Sequence, residues 1–184
     1  MNLIEAIILG IVQGLTEFLP ISSSGHLALM EEALGFSQES STIEFDLLLH
    51  FSTLLAVILY FRKRLISLFL SVFRTGDTDE KKLITFLILG TIPIVIIGFL
   101  FKDKVEVISE DPILVCIFLS ITGLILFLPS FIKKSISNKE VTVGCSFIIG
   151  IAQAIALLPG ISRSGSTIKT VSYSHLTLPT TPYV

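Results

Sequence analysis

The chain has 184 residues, of which 52% are hydrophobic and 15% charged, with a mean hydropathy of +0.87. This excludes a water-soluble globule, whose apolar core is balanced by a solvated surface, and predicts a chain whose solvent is largely lipid. A formal net charge of -2 excludes nucleic acid as a partner, since that would need clustered Lys and Arg.

The first apolar stretch, Ile4 to Ile21, is interrupted by Gln13, Thr16, Glu17 and Pro20. It lacks a basic leading region and a small-residue cleavage site, so it is expected to stay in the mature protein rather than act as a signal peptide. Irregular backbone at membrane depth is tolerated only where it is buried in protein or lines a cavity, so this stretch predicts a broken or re-entrant helix. The acidic, Ser-rich residues from Gly35 to Glu44 follow. Three stretches then approach the roughly 20 apolar residues needed to cross a bilayer: Phe45 to Phe61, Leu83 to Phe101 and Ile113 to Ile132. The first carries His50, read as a lone polar residue near a span end without a chemical role. The second contains Gly90, Pro93 and Gly98, which predicts a kink near Pro93. Arg62, Lys63, Arg64, Arg74, Lys81 and Lys82 mark one connection as cytoplasmic, as do Lys133, Lys134 and Lys139. The acidic connections, Gly35 to Glu44 and Lys102 to Asp111, are then external. Cys116 and Cys145 lie in apolar runs with no metal or disulfide spacing, which predicts packing or lipid-facing roles. The last apolar stretch, Val143 to Ile161, is broken by Gln153, Pro159 and Gly160 and is expected to resemble the first.

Laying Gly10 to His26 over Gly150 to Ser166 at a constant offset of 140 gives seven identities in seventeen positions, including Gln13/Gln153 and the shared Ile-Ser-x-Ser-Gly. Polar identities inside hydrophobic sequence point to an internal repeat. Three spans lie between the copies, an odd number, which would turn the second upside down relative to the first. Paired broken helices of such inverted repeats meet near the midplane and build a ligand site. The fold expected is an all-α polytopic membrane protein. A single membrane domain runs over residues 1–168, with a first repeat over about 1–80 and the start of the inverted second over about 140–168.

Where the copies differ, chemistry has specialised: Glu17 faces Leu157, Ser23 faces Arg163 and His26 faces Ser166. Ionisable groups at membrane depth cost roughly 2.5–3.5 kcal/mol to insert and default to functional hypotheses. The rival reading of Glu17 and Arg163 is a buried ion pair that only fixes packing. Gln13 and Glu17, four apart, share a helix face. The Ser/Gly loops, with Ser22, Ser24 and Gly25 in the first and Ser162, Ser164, Gly165 and Thr167 in the second, resemble anion cradles at helix starts. Arg163 adds a planar fork suited to phosphate. Two such loops suit a diphosphate. For hydrolysis, Ser23 or His26 could take the phosphoryl group, Glu17 could orient or deprotonate the attacking group, and Arg163 could stabilise the equatorial oxygens. One arginine leaves a diphosphate short of positive charge, and a divalent cation held by Glu17 and the substrate, Mg²⁺ by preference, would close that gap. The alternatives are a lipid carrier, which has no use for Glu17 beside His26, and a structural membrane scaffold.

These residues resemble the bacterial undecaprenyl-pyrophosphate phosphatases linked to bacitracin resistance. The likeness is carried by Gln13-Gly-Leu-Thr-Glu17, running on to His26, and by Pro159-Gly-Ile-Ser-Arg-Ser-Gly-Ser-Thr167, and it extends from about Asn2 to Ile168. It implies a multi-pass enzyme of the bacterial plasma membrane that hydrolyses the C55 isoprenoid diphosphate to the monophosphate carrier and inorganic phosphate, with Glu17, Ser23, His26 and Arg163 catalytic and a divalent cation such as Mg²⁺ assisting. Its partners would be the polyprenyl diphosphate and the bilayer, with homodimerisation left open. Residues 169–184 are polar and Pro/Thr-rich where the family continues with further spans, so the second repeat is expected to be cut short and this tail, which includes His175, to be foreign to the gene.

Overall fold

The computed structural model describes residues 1–35, 40–73, 75–76, 79–109, 111–127 and 142–174, and among these it is entirely helix and turn. Among the described residues eight helices follow one another: α1 Leu3–Thr16, α2 Ser23–Ala33, α3 Ser40–Phe73, α4 Asp79–Leu100, α5 Lys102–Ser109, α6 Pro112–Phe127, α7 Val143–Ile155 and α8 Arg163–Ser174. Two of them, α3 from Ile43 and α4, are long and apolar enough to cross a membrane, and α5 with α6, bent by 98°, is one pair that passes the same test together. Large apolar side chains such as Leu47, Phe51, Leu59, Phe99 and Ile113 are exposed, whereas the buried apolar set is limited to Leu9, Leu27, Val115 and a few others. That distribution suits a molecule surrounded by hydrocarbon, where outward-facing leucines cost nothing.

Two expectations about connections need correction. Arg62, Lys63 and Arg64 do not leave the span after Phe61: they continue α3, a helix of 34 residues, about 50 Å long. Arg and Lys are good helix formers, so a basic segment marks the end of the hydrocarbon rather than the end of the helix. Lys102 to Asp111 is likewise not a plain loop, since Lys102–Ser109 forms α5. Pro93 is taken into α4 as one helix, buried against α7. The end of the span drawn to Ile132, the loop with Lys133, Lys134 and Lys139, Arg74, Glu110, and His175 with the rest of 175–184 lie outside the described residues; α8 runs past Ile168 to Ser174. Cys116 is exposed and Cys145 buried.

The most extensive helix pair is α4 with α7. Its closeness has a simple origin: a methyl on Gly150 would lie 2.5 Å from the Gly90 carbonyl oxygen and 2.8 Å from Pro93 Cγ. With Ser146 one turn before Gly150, α7 presents the small-x-x-x-small face that lets membrane helices approach. Helix α2 packs on α6, as does α8, so α6 supports both broken segments from one side.

Candidate active site

Both broken segments are built alike. Asn2 caps α1 by accepting from Glu5 N, and at the same offset of 140 Thr142 caps α7 by accepting from Cys145 N. Such side-chain caps satisfy the free N–H groups of a helix start. Each first helix ends at a proline-bearing turn, with Pro20 in one and Pro159-Gly160 in the other, because proline offers no N–H to continue the ladder. Each second helix then starts at matching positions, Ser23 and Arg163. Ahead of them Ser22 Oγ lies 3.5 Å from Ser24 Oγ, and Ser162 Oγ 3.1 Å from Ser164 Oγ. Ser22 holds a positive φ of 70°, a strained conformation for a residue with a side chain.

The two turns close on one another. A methyl on Gly25 would lie 2.9 Å from Gly160 Cα, and one on Gly165 would lie 2.9 Å from the Pro20 carbonyl oxygen. Gly25 corresponds to Gly165 and Pro20 to Gly160 under the same offset, so the two contacts are reciprocal. The second turn is also fastened from below. Thr122 Oγ1 donates to the Gly160 carbonyl at 2.8 Å and accepts from Ser162 N at 3.0 Å, and all three groups are buried.

Between the turns lies a cavity of about 500 Å³. Of the residues singled out from sequence, Glu17, Ser22, Ser23, Ser24, Ser162, Arg163, Ser164 and Thr167 line it, joined by Thr16, His50, Gln153, Ala156 and Ile161. Ser23 Oγ donates to Glu17 Oε2 in a short hydrogen bond. Gln13 Nε2 reaches the same oxygen at 3.2 Å and Thr53 Oγ1 at 3.5 Å. Glu17 is thus held from two sides by one carboxylate oxygen, and Oε1 is left over. Arg163 forms neither an ion pair nor a side-chain hydrogen bond among the described residues, where the ion pair present is Arg64 with Glu80 on the surface. The Glu17–Arg163 packing pair is therefore not formed.

Four expected residues sit elsewhere. Gln13 is 1% exposed and lies behind Glu17. His26 is half-buried and off the cavity wall, with Nδ1 donating to the Ser22 carbonyl at 2.8 Å. Gly25 and Gly165 are the close-approach points described above, and the Gly165 N–H is spent on Ser162 Oγ at 3.0 Å. Conversely, His50 and Gln153 line the cavity without having been singled out for chemistry. Beside His50, the carboxyl groups of Glu31 on α2 and Asp46 on α3 meet.

A helical, multi-pass membrane protein with a hydroxyl, a carboxylate and an unpaired guanidinium around one cavity is the class these features define. Comparison with known proteins narrows it. The family described as bacitracin resistance protein BacA matches residues 6–180. The chain is 46% identical over 183 residues to an undecaprenyl-diphosphatase of Treponema denticola, covering 96% of this chain and 66% of that protein. It is 43% identical over 172 residues to an undecaprenyl-diphosphatase of Christiangramia forsetii, covering 92% and 64%. It is 42% identical over 173 residues to undecaprenyl-diphosphatase 1 of Pseudoalteromonas translucida, covering 91% and 64%. The chain belongs to the bacitracin resistance protein BacA family and spans just under two thirds of the length of these relatives.

Proposed function

We propose that this chain carries the catalytic site of an undecaprenyl-diphosphate phosphatase of the bacterial plasma membrane, which returns the C55 lipid carrier to cell-wall synthesis and so confers bacitracin resistance. The observation that carries the reading is the Ser23 hydroxyl bonded to Glu17 in a cavity that also holds Arg163, a cation with no protein counter-ion. A guanidinium without a protein counter-ion in a hydroxyl-lined cavity suits an anionic ligand, and its fork fits a phosphate.

In this mechanism Ser23 Oγ attacks the terminal phosphorus while its proton passes to Glu17 Oε2 along the existing hydrogen bond. The bond to the bridging oxygen breaks, and the lipid monophosphate leaves with that oxygen. Arg163 bears the charge spread over the equatorial oxygens, and Ser22, Ser24, Ser162, Ser164 and Thr167 supply hydroxyls around the diphosphate. Glu17 gives that proton up to water; a second water then attacks the phosphoserine as Glu17 takes its proton, the P–Oγ bond breaks, Ser23 Oγ regains the proton from Glu17, and inorganic phosphate is released. His26, turned to the Ser22 carbonyl, supports the strained turn rather than the attack. Among the described residues no group of three His, Cys, Asp or Glu could hold a metal by itself. A single free carboxylate oxygen, Glu17 Oε1, does fit Mg²⁺, which commonly takes one or two carboxylates and completes its shell with substrate phosphates and water. Such an ion would supply charge neutralisation on the diphosphate.

The reciprocal contacts Gly25 with Gly160 and Gly165 with Pro20 support a two-fold relation between the broken segments, because such an axis makes every contact occur twice with the partners exchanged. With an odd number of spans between the copies, the axis would lie in the membrane plane and the segments would be inverted, re-entrant repeats.

The test is phosphate release from C55 diphosphate by purified protein in detergent, using this chain and a form completed with the further segment its relatives carry. Activity lost in Ser23→Ala, Glu17→Ala and Arg163→Ala, together with label from the terminal phosphate trapped on Ser23, supports the mechanism. Lipid transport in liposomes without phosphate release from either form would make this a carrier instead.

A further inference from the structure

Among the described residues, helix α3 reaches the cavity through one residue, His50. Its ring is pinned: Nδ1 lies 2.8 Å from the Asp46 carbonyl oxygen. A carbonyl can only accept, so Nδ1 carries the hydrogen, and Nε2 is the nitrogen left for the cavity. Nε2 has no hydrogen-bond partner among the described residues. The same stretch of α3 is tied to the reacting pair, because Thr53 Oγ1 donates to the His50 carbonyl at 2.9 Å and accepts from the Gln13 amide that holds Glu17. The ring is thus fixed on its outer nitrogen and unspent on its inner one, with its backbone registered to the nucleophile's carboxylate.

We propose that His50 is a further substrate-binding residue, whose Nε2 shares a proton with an oxygen of the diphosphate. The proposal rests on the phosphatase reading. A diphosphate in this cavity carries several negative charges, and Arg163 alone meets them from α8. An imidazole already ordered by the Asp46 carbonyl gives a second polar contact from α3 at little entropic cost, Nε2 donating in the imidazolium and accepting from a protonated diphosphate oxygen in the neutral ring. Glu17 stays with Ser23 and His50 takes no part in the attack, so the contact strengthens binding of the ground state and the transition state alike. Such uniform binding shows in KM rather than in kcat.

The experiment uses whichever form releases phosphate in the assay above. His50→Leu, which fills the volume without a donor, is expected to raise both KM and the inhibition constant of inorganic pyrophosphate about tenfold, while kcat stays within about threefold, the effect of one hydrogen bond to a charged group. His50→Gln, which keeps an N–H in the cavity, should recover most of the loss. The unaltered protein provides a check that does not depend on variants folding. Diethyl pyrocarbonate labelling of His50, read by peptide mass, should be suppressed by inorganic pyrophosphate at its inhibitory concentration. Unchanged KM and pyrophosphate inhibition in His50→Leu, or labelling that pyrophosphate leaves untouched while it inhibits, overturns the role of His50 and leaves the phosphatase reading standing. Absence of phosphate release from either form removes both.

Discussion

Ser23 and Gln13 converge on a single oxygen of Glu17, the hydroxyl from the start of α2 and the amide from within α1. The break in the helix is what brings them together, since Ser23 follows Glu17 by six residues and would lie on another face of an unbroken helix. Glu17→Gln keeps a group that can accept from Ser23 but cannot take its proton. Its kcat for phosphate release should fall by about 10²–10⁴, the usual worth of a general base, with the melting temperature in detergent hardly moved. Full activity in this variant would remove the base role.

An arginine can offer two parallel N–H groups to one phosphate, where a lysine offers a point charge. Arg163→Ala should lower kcat by about 10³, and Arg163→Lys should regain only a small part of that. Initial rates across a range of C55 diphosphate concentrations separate this loss from a pure binding defect. A lysine variant as active as the parent would show that charge alone suffices.

Thr122 bridges the Gly160 carbonyl and the Ser162 N–H from α6, although it lies far from both in sequence. Thr122→Val keeps the shape and removes both bonds, leaving two buried backbone groups unmet at a cost of about 2–4 kcal/mol. Thermal unfolding followed in detergent should show a clear drop, and Thr122→Ser, which restores the hydroxyl, should return most of it.

Glycines divide sharply. Gly160→Ala places a methyl 2.7 Å from the Val115 carbonyl oxygen at a φ of +94°, and Gly25→Ala places one 2.9 Å from Gly160 Cα. Overpacking of this kind costs about 1–3 kcal/mol, with backbone strain added at Gly160. Gly14→Ala and Gly123→Ala meet nothing within 4 Å in their helices and should be neutral or slightly stabilising. Equal melting temperatures for Gly25→Ala and Gly14→Ala would contradict the close approach of the two turns.

The all-helical membrane character was legible in the sequence, and eight of the twelve residues singled out there line one cavity, because membrane depth makes polar residues rare enough to be informative. Gly25 and Gly165 correspond in the overlay, yet an overlay of two segments shows which residues align and not which surfaces touch. Their small size serves the approach of two backbones. Gln13 shares a helix face with Glu17, as its spacing predicts, but a shared face does not tell which residue stands in front. His50 was passed over as an isolated polar residue. The signal was present in Asp46, His50 and Thr53, which recur at helical spacing on one side of α3, and two of them meet Gln13 or the cavity. The length of α3 was hidden because basic residues stop a membrane segment without stopping a helix.

The contacts that seat the two turns are made by main chain and by glycines that project nothing: Gly25 against Gly160, and Gly165 against Pro20. The seat is therefore indifferent to what positions 17, 23, 157 and 163 carry. Each arm can change the side chains at these positions one at a time while the gap between the arms keeps its width. A basic arm can face an acidic one in this way without the frame being rebuilt.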